Sequence, residues 1–496
     1  MKYMKIKKKC LLILLVFLLV FIPMDVYAAD GKNYDFEGYT YDYWGNAVES
    51  PAAFHLDRVI DEKNMGGIKV QGFNDVVTSE DGRIFLVDTL EGRVDIVNQD
   101  GTFVKSLKVI RDANDKIVID ESGAQLVLNA PEGVFYQEKD QELFIADTGA
   151  ERIIVLDGRN YTLKRVIKKP ENMAGVSEFQ PSKIVADNTG RIYVVVQSSY
   201  EGILELNSDG TFSRYFGVNS PSVNFIDYFW KSISSDRQKE QMKKTFAPAF
   251  NNIDLDSDGF VYAVTFDAAA QHMVFRLNSG GKNVLREKGN ISVVGDVHRM
   301  KLADQSQFID IAVQDYGTYA VIDKSKGRIF LYDFDGQLLN AFGSQGKKKG
   351  SFQMPTGIAW LGNNLVVTDS TLKCAYILKP TDFGEAALLA SEKYYHGNWD
   401  EALTQFNRIL TLNANYEVAY VGIGKNYLMK DEYKKAMYYF KLGNNREFYS
   451  KAYNGYRAEV LQSHFGIIAV IFLAFIVLIL FTEVRYHKKE SGQNEE

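Results

Sequence analysis

Residues 307–369 contain Phe308-Ile-Asp-Ile-Ala-Val-Gln-Asp-Tyr-Gly317, then Thr318-Tyr-Ala-Val-Ile-Asp323, then Gly327-Arg-Ile-Phe-Leu-Tyr-Asp333. Asp335-Gly336 and Ala341-Phe-Gly343 follow, and Gly350-Ser-Phe-Gln-Met-Pro355-Thr-Gly357-Ile-Ala359 opens the next round. Four short β-type runs are separated by Asp/Gly turns, and after Pro355 the cycle restarts. Asp-Gly pairs supply the positive φ that a tight hairpin needs. The unit is therefore a small antiparallel sheet. One such sheet cannot bury both of its faces and requires copies of itself alongside.

Four earlier copies are present. The first is Phe73-Asn-Asp-Val-Val-Thr-Ser-Glu-Asp-Gly82-Arg-Ile-Phe-Leu-Val-Asp88. The second is Pro131-Glu-Gly133-Val with Leu143-Phe-Ile-Ala-Asp147. The third is Phe179-Gln-Pro181-Ser-Lys-Ile-Val-Ala-Asp187-Asn-Thr-Gly190-Arg-Ile-Tyr-Val-Val-Val196. Phe250-Asn-Asn-Ile-Asp-Leu-Asp-Ser-Asp-Gly259-Phe-Val-Tyr-Ala-Val-Thr265 is the fourth. The second strand of each unit ends at Asp88, Asp147, Val196, Thr265, Asp323 and Asp369, at spacings of 59, 49, 69, 58 and 46 residues. Six quasi-equal units with growth confined to loops predict a mainly β fold, a six-bladed β-propeller. A further strand pair follows in five units, but the sixth stops at Cys374-Ala-Tyr-Ile-Leu378 before Pro380. The segments Tyr39–Tyr43 and Ala52–Ile60 have no blade of their own. One of them is expected to complete the last blade and remove its free edge.

The run Phe342-Gly343…Gly346…Gly350-Ser-Phe352-Gln-Met-Pro355-Thr-Gly357-Ile-Ala359 resembles the inter-blade signature of the NHL-repeat propellers, as do the steps at Asp147 and Arg152. The resemblance covers about 60–380, is closest at the sixth unit, and loosens in the third and fourth. It implies a central channel but no single function, because the family holds both enzymes and binding platforms. Some members are lyases with His-rich metal sites, and related lactonases bind calcium through Glu, Asn and Asp. Before Pro380 the histidines are His55, His272 and His298, at unrelated blade positions. Asp254-Leu-Asp-Ser-Asp-Gly259 opens like a calcium loop, but Thr265 stands where the loop's Glu belongs, and the stretch reads as a hairpin turn. No catalytic or metal-ligating residue is assigned and no cofactor is expected, calcium being the cation the resemblance admits. A metal-dependent enzyme of lactonase or lyase type is the alternative reading.

Both ends carry targeting information. Lys2, Lys5 and Lys7 to Lys9 precede the apolar run Leu11 to Ile22, and Val26-Tyr27-Ala28 forms a signal-peptidase site. Residues 1–28 are thus expected to be a signal peptide. Its removal takes away five Lys and one Asp, so the net charge moves from −6 to −10, which implies no nucleic-acid surface. Lys347 to Lys349 read as a solvated loop. Cys374 is left without a disulfide partner once Cys10 leaves with the signal, and an exported domain of this size without disulfides fits a bacterial envelope. Residues 465–482 are 18 uncharged, mostly apolar residues, about 27 Å of helix and enough for a bilayer core. Arg485, His487, Lys488 and Lys489 then mark a cytoplasmic tail, 483–496. These features predict a single-pass plasma-membrane protein with its N-terminal domains outside the cytoplasm.

Two regions depart from the repeat. Within 29–380, an insert at 218–250 carries Phe225-Ile-Asp-Tyr228-Phe229-Trp230. Tyr228, Phe229 and Trp230 are candidate contacts for a carbohydrate or peptide, the bland alternative being that they pin the insert to the blades. After Pro380 the pattern turns helical, and Ala390, Trp399, Ala402 and Phe406 recur 34 residues later as Gly424, Tyr433, Ala436 and Phe440. This spacing resembles tetratricopeptide repeats over 384–463, two full repeats with the first helix of a third, from about Phe448 to Ser463, capping them and running on into the span. The resemblance implies protein binding, with Trp399 and Tyr433 as candidate contacts that also fill the turns. Taken together, the expected protein is a membrane-anchored extracytoplasmic binding or scaffold protein. Its propeller recognises a ligand or envelope protein and its helical neck contacts a partner, as in accessories of transport complexes.

Overall fold

The structure is a computed structural model, described for residues 37–171, 178–197, 202–217, 249–266, 272–289, 291–296 and 305–493. Three strands, β1 (Gly38–Tyr41), β2 (Ala47–Ser50) and β3 (Phe54–Ile60), precede the first blade and belong to the last two. Blade one is β4 (Phe73–Thr78), β5 (Arg83–Asp88), β6 (Arg93–Asn98) and β7 (Phe103–Leu107). Blade two is β8 (Gly133–Gln137), β9 (Glu142–Asp147), β10 (Arg152–Asp157) and β11 (Leu163–Ile167), and blade three is β12 (Pro181–Ala186), β13 (Ile192–Val196), β14 (Ile203–Leu206) and β15 (Phe212–Phe216). Among the described residues blade four has three strands, β16 (Asn252–Leu255), β17 (Val261–Val264) and β18 (Val274–Leu277). Blade five contains β19 (Phe308–Val313), β20 (Tyr319–Asp323), β21 (Arg328–Tyr332) and β22 (Leu338–Phe342), extended outward by β1 and β2. Blade six is β23 (Pro355–Leu361), β24 (Asn364–Asp369) and β25 (Cys374–Pro380), finished by β3. The fold is the six-bladed propeller expected.

The recurrent Asp at the end of the second strand has a physical job. Asp88, Asp147, Asp323 and Asp369 are fully buried. Each accepts a hydrogen bond from a backbone N–H of the segment entering its own blade: from Gln71 (2.8 Å), Asn129 (2.6 Å), Gln307 (2.9 Å) and Gln353 (2.6 Å) respectively. Where Thr265 replaces Asp, its hydroxyl instead donates to the Ala249 carbonyl at 2.7 Å. β17 closes at Val264, one residue before the expected end, although the Thr265 N–H still donates to the Met273 carbonyl at 3.0 Å.

Both N-terminal segments are used, where one was expected. β3 pairs antiparallel with β25 from Ala375↔Ile60 to Pro380↔Phe54, closing the ring. β1 pairs with β22 through Gly38↔Phe342 and Tyr39↔Ala341. The Tyr39 and Tyr41 hydroxyls donate to buried Asp296, which Arg328 also contacts. Apolar clusters fill the seams between neighbouring blades, for example Phe85, Val94 and Ile96 against Leu143 and Ile145 between blades one and two.

Five helices follow: α1 (Asp382–Tyr395), α2 (Trp399–Leu412), α3 (Glu417–Met429), α4 (Tyr433–Leu442) and α5 (Arg446–Gln493). Thr381 caps α1 by accepting from the Gly384 N–H at 3.1 Å. Small residues permit close helix approach: a Cβ on Gly424 would lie 2.6 Å from the Phe440 ring, and one on Gly422 2.3 Å from Phe406. α5 seals the last hairpin through Ala452, Phe448 and Gly455, while Ala458, 34 residues beyond Gly424, is exposed, with no further helix packed there among the described residues.

The helices do not form a separate stalk. The seam between blades five and six continues into them, with Phe54, Phe342 and Trp360 in one core with Phe383, Phe406 and Tyr416. The Tyr416 hydroxyl donates to the Leu339 carbonyl at 2.8 Å, and the Thr318 and Ser391 hydroxyls lie 2.7 Å apart. Lys425 reaches Asp335 at 3.4 Å, between the third and fourth strands of blade five. α5 is a single helix of 48 residues, about 72 Å at 1.5 Å per residue. Its segment around Phe465 to Phe481 is exposed and is long and apolar enough to cross a membrane.

Candidate functional site: the propeller channel

The innermost strands surround a channel of about 560 Å³. Register defines its floor. One residue before Asp88, Asp147, Val196, Thr265, Asp323 and Asp369 on the second strand, the facing inner-strand residues are Asp75, Gly133, Lys183, Asn252, Asp310 and Gly357. All six blades thus place either a polar side chain or a glycine at one level. The glycines mark the tightest approaches: a Cβ on Gly133 would lie 2.2 Å from the Ser182 carbonyl oxygen, and one on Gly357 3.2 Å from the Asp75 Cα.

The polar members are joined. The Lys183 ammonium donates to Asp75 Oδ1, from blade three to blade one, past the position where blade two carries only Gly133. Asp75 Oδ2 accepts from the Val134 N–H at 2.9 Å. The Asn252 amide donates to Asp310 Oδ1, and Asp310 Oδ2 accepts from the Ile358 N–H at 2.7 Å. Asp254, two residues further along β16, accepts from the Val313 N–H at 2.7 Å and the Leu255 N–H at 2.8 Å. Asp75, Asp254 and Asp310 therefore each bridge to the next blade, bracing the axis with hydrogen bonds to backbone N–H groups.

Burial dominates the electrostatics. It pushes the Asp254 carboxyl up to about 7 and the Asp310 carboxyl up to about 8, in the latter case against the nearby Lys183. Lys183 loses hydration on burial, but Asp75 and Asp310 more than offset this and hold its ammonium above the usual lysine range. Asp254 is half-buried and lies within the channel lining, so its carboxyl can exchange a proton near neutral pH or accept a hydrogen bond from a ligand. The ring's cation is already supplied by Lys183. Among the described residues no group of three His, Cys, Asp or Glu side chains is placed to hold a metal ion.

Above the floor the channel reaches the turns between first and second strands, where Glu80, Glu138 and Asp315 stand at the rim. Burial, with Glu80 and Asp81 nearby, holds the Glu138 carboxyl above its ordinary range. The helices lie over this same face at blades five and six and reach the edge of blade four: the Tyr395 ring lies against Gly317 of blade five, and its hydroxyl donates to Asp258 of blade four at 3.3 Å.

Of the residues singled out from sequence, Tyr228, Phe229 and Trp230 lie outside the described residues, as does His298. Trp399 is half-buried edge-on to Tyr394, with ring centroids 5.1 Å apart. Tyr433 packs where Gly455 leaves room and donates to Asp431 at 2.7 Å. Trp399 thus touches its own hairpin, whereas Tyr433 packs against the next helix, α5. His55 is exposed on β3, whereas His272 lies 3.5 Å from Glu287 beside blade four, so the structure does not bring them together. Asp254–Gly259 forms the β16–β17 turn, with Asp256 accepting from the Phe260 N–H at 2.8 Å and pairing with Arg276 at 2.8 Å. Lys347 to Lys349 are exposed.

Sequence reasoning passed over Asp75, Lys183, Asn252, Asp254 and Asp310. A signal for the ring existed: Asp75, Gly133, Lys183, Asn252, Asp310 and Gly357 each stand two residues after a Phe or Pro at or near the start of their unit.

No family model and no curated protein matches the chain. Solved structures similar to it include virginiamycin B lyase from Staphylococcus aureus, at 12% identity over 66% of this chain and 99% of that one, with a TM-score of 0.41. Hydrazine synthase from Kuenenia stuttgartiensis matches at 10% identity, 63% and 96% coverage and a TM-score of 0.39. The β-propeller domain of Cps50 (Swd1) from Myceliophteria thermophila matches at 10% identity, 62% and 96% coverage and a TM-score of 0.37. The likeness is one of fold.

Proposed function

We propose that the chain is a membrane-anchored binding and scaffold protein of a bacterial envelope. In this reading the signal peptide is removed, the NHL-like propeller and the tetratricopeptide-like helices stand outside the plasma membrane, and the tail after the span is cytoplasmic. The observation that carries it is mechanical. One apolar core joins blades five and six to α1, α2 and α3, and α5 continues without a break from the last hairpin into the apolar segment. Such a body holds the channel mouth at a set attitude to the membrane, which suits presenting or gripping a partner of a transport or other envelope complex.

The experiment uses photocrosslinking side chains in intact cells, one on the turn face of blades two to four and one at exposed Tyr438 on α4. Specific capture of a membrane or envelope protein from either position is the expected result. Capture from neither, with both positions reachable by impermeant label, overturns the binding reading. Topology is read separately by labelling Lys348→Cys and Lys488→Cys with an impermeant maleimide, Cys374 being buried and silent. The first should label from outside and the second only after permeabilisation.

A further inference from the structure

The channel does not end at its rim. A second cavity of about 470 Å³ lies over blades two to four and shares Glu80, Tyr136, Glu138 and Asp315 with the channel. The helices cover the turn face at blades five and six and touch the groove's edge at Asp258 through Tyr395, so this groove runs from that edge across the blades they leave open. Its floor includes half-buried Phe135, Leu255 and Phe260. Its walls are acidic. Lys183 and Arg191 are the basic residues lining the two cavities among the described residues, and each is engaged, with Asp75 and Asp187 respectively. Glu80, Glu138, Asp254, Asp258 and Asp315 form no ion pair with a lysine or arginine among the described residues.

We propose that this groove and the channel mouth bind an extended polypeptide segment in which lysine or arginine side chains alternate with apolar ones. The inference rests on the binding reading above and names the chemistry of the partner. Alternation follows from the surface, because an extended chain presents successive side chains to opposite sides. One set meets Phe135, Leu255 and Phe260, and the other meets the unpaired carboxylates. The cavity volumes fall in the range of about 300–1,000 Å³ usual for ligand sites. Unpaired like charges at the rim also steer a cationic partner toward it, more strongly at low salt.

The test uses the full chain in nanodiscs and fluorescence anisotropy with three probes: a labelled peptide of alternating Lys and Phe, its Glu/Phe counterpart, and spermidine as competitor. The basic peptide should bind at least tenfold tighter than the acidic one and weaken at least tenfold in 0.5 M NaCl. The double variant Glu138→Gln with Asp315→Asn should weaken it a further tenfold, while Glu62→Gln, an exposed residue outside the groove, changes nothing. Equal binding of the two peptides overturns the proposal, as does an unaltered affinity in a double variant that melts like the parent. Displacement by spermidine at concentrations equal to the peptide's would show a free polyamine site and also overturn it. If the peptides fail while crosslinking from Tyr438 still captures a partner, this inference falls and the binding reading stands.

Discussion

Gly384→Ala should destabilise the protein although it improves a helix. Within a helix, replacing glycine by alanine ordinarily stabilises by roughly 0.5–1 kcal/mol through the entropy of the unfolded chain. Here the new Cβ would fall 1.8 Å from the Ala53 carbonyl oxygen. Reaching even 3.0 Å requires a movement of about 1.2 Å between α1 and the start of β3. Ala53 cannot readily yield, since its N–H donates to Asn340 at 2.9 Å and its carbonyl accepts from the Thr381 N–H at 2.9 Å. α1 moves instead, pulling buried Phe383 from the core it shares with Phe54 and Tyr416. Overpacking of this kind costs about 1–3 kcal/mol. With the upper end of that range set against the propensity gain, the net loss is about 2 kcal/mol. Hydrogen exchange measured by mass spectrometry should then show amides of α1 to α3 exchanging roughly 30-fold faster, while strands of blades two and three stay unchanged. Gly466→Ala is the internal control, because nothing lies within 4 Å of its Cβ position. Exchange at α1 that is unchanged or slower in Gly384→Ala would refute the argument that the helices and the propeller share one close-packed seam.

Lys183→Met leaves Asp75 buried without its cation and should cost about 3–5 kcal/mol by chemical denaturation, partly recovered by adding Asp75→Asn; an undiminished midpoint would show that the ring braces nothing. The pH dependence has a definite sign. Asp254 and Asp310, held near 7 and 8 in the fold, keep protons that an unfolded chain releases around pH 4. Their contribution to stability is therefore full below about pH 4 and is lost as pH rises through 7 and 8. Asp254→Asn should shrink the fall in urea midpoint between pH 5.5 and 8.5; an unaltered slope excludes Asp254 as its source. Deleting 37–60 removes β1 to β3, and with them the outer strand of blade six and the extension of blade five. The exposed edges should drive aggregation, read by size-exclusion chromatography, and a monodisperse product would contradict closure by β3.

The sequence by itself determined the modules. Local chemistry wrote them: Asp-Gly turns, alternation along strands, and an Asp that accepts hydrogen bonds from its own blade's entry segment all act within one unit. The apolar run from Phe465 and the 34-residue helical spacing are equally local. Closure by an N-terminal strand was readable because blade six lacked one, whereas the pairing of β1 with β22 depends on Tyr39 and Tyr41 meeting Asp296 more than 250 residues away. The channel ring was visible only as six unremarked positions. That they are one site was decided by the closure of the circle, which let Lys183 cross an empty Gly133 to reach Asp75. The seating of the helices on blades five and six was decided the same way, by a glycine facing a backbone carbonyl. Contacts between distant segments are selected by how well finished surfaces fit, and a surface does not exist until the chain has folded.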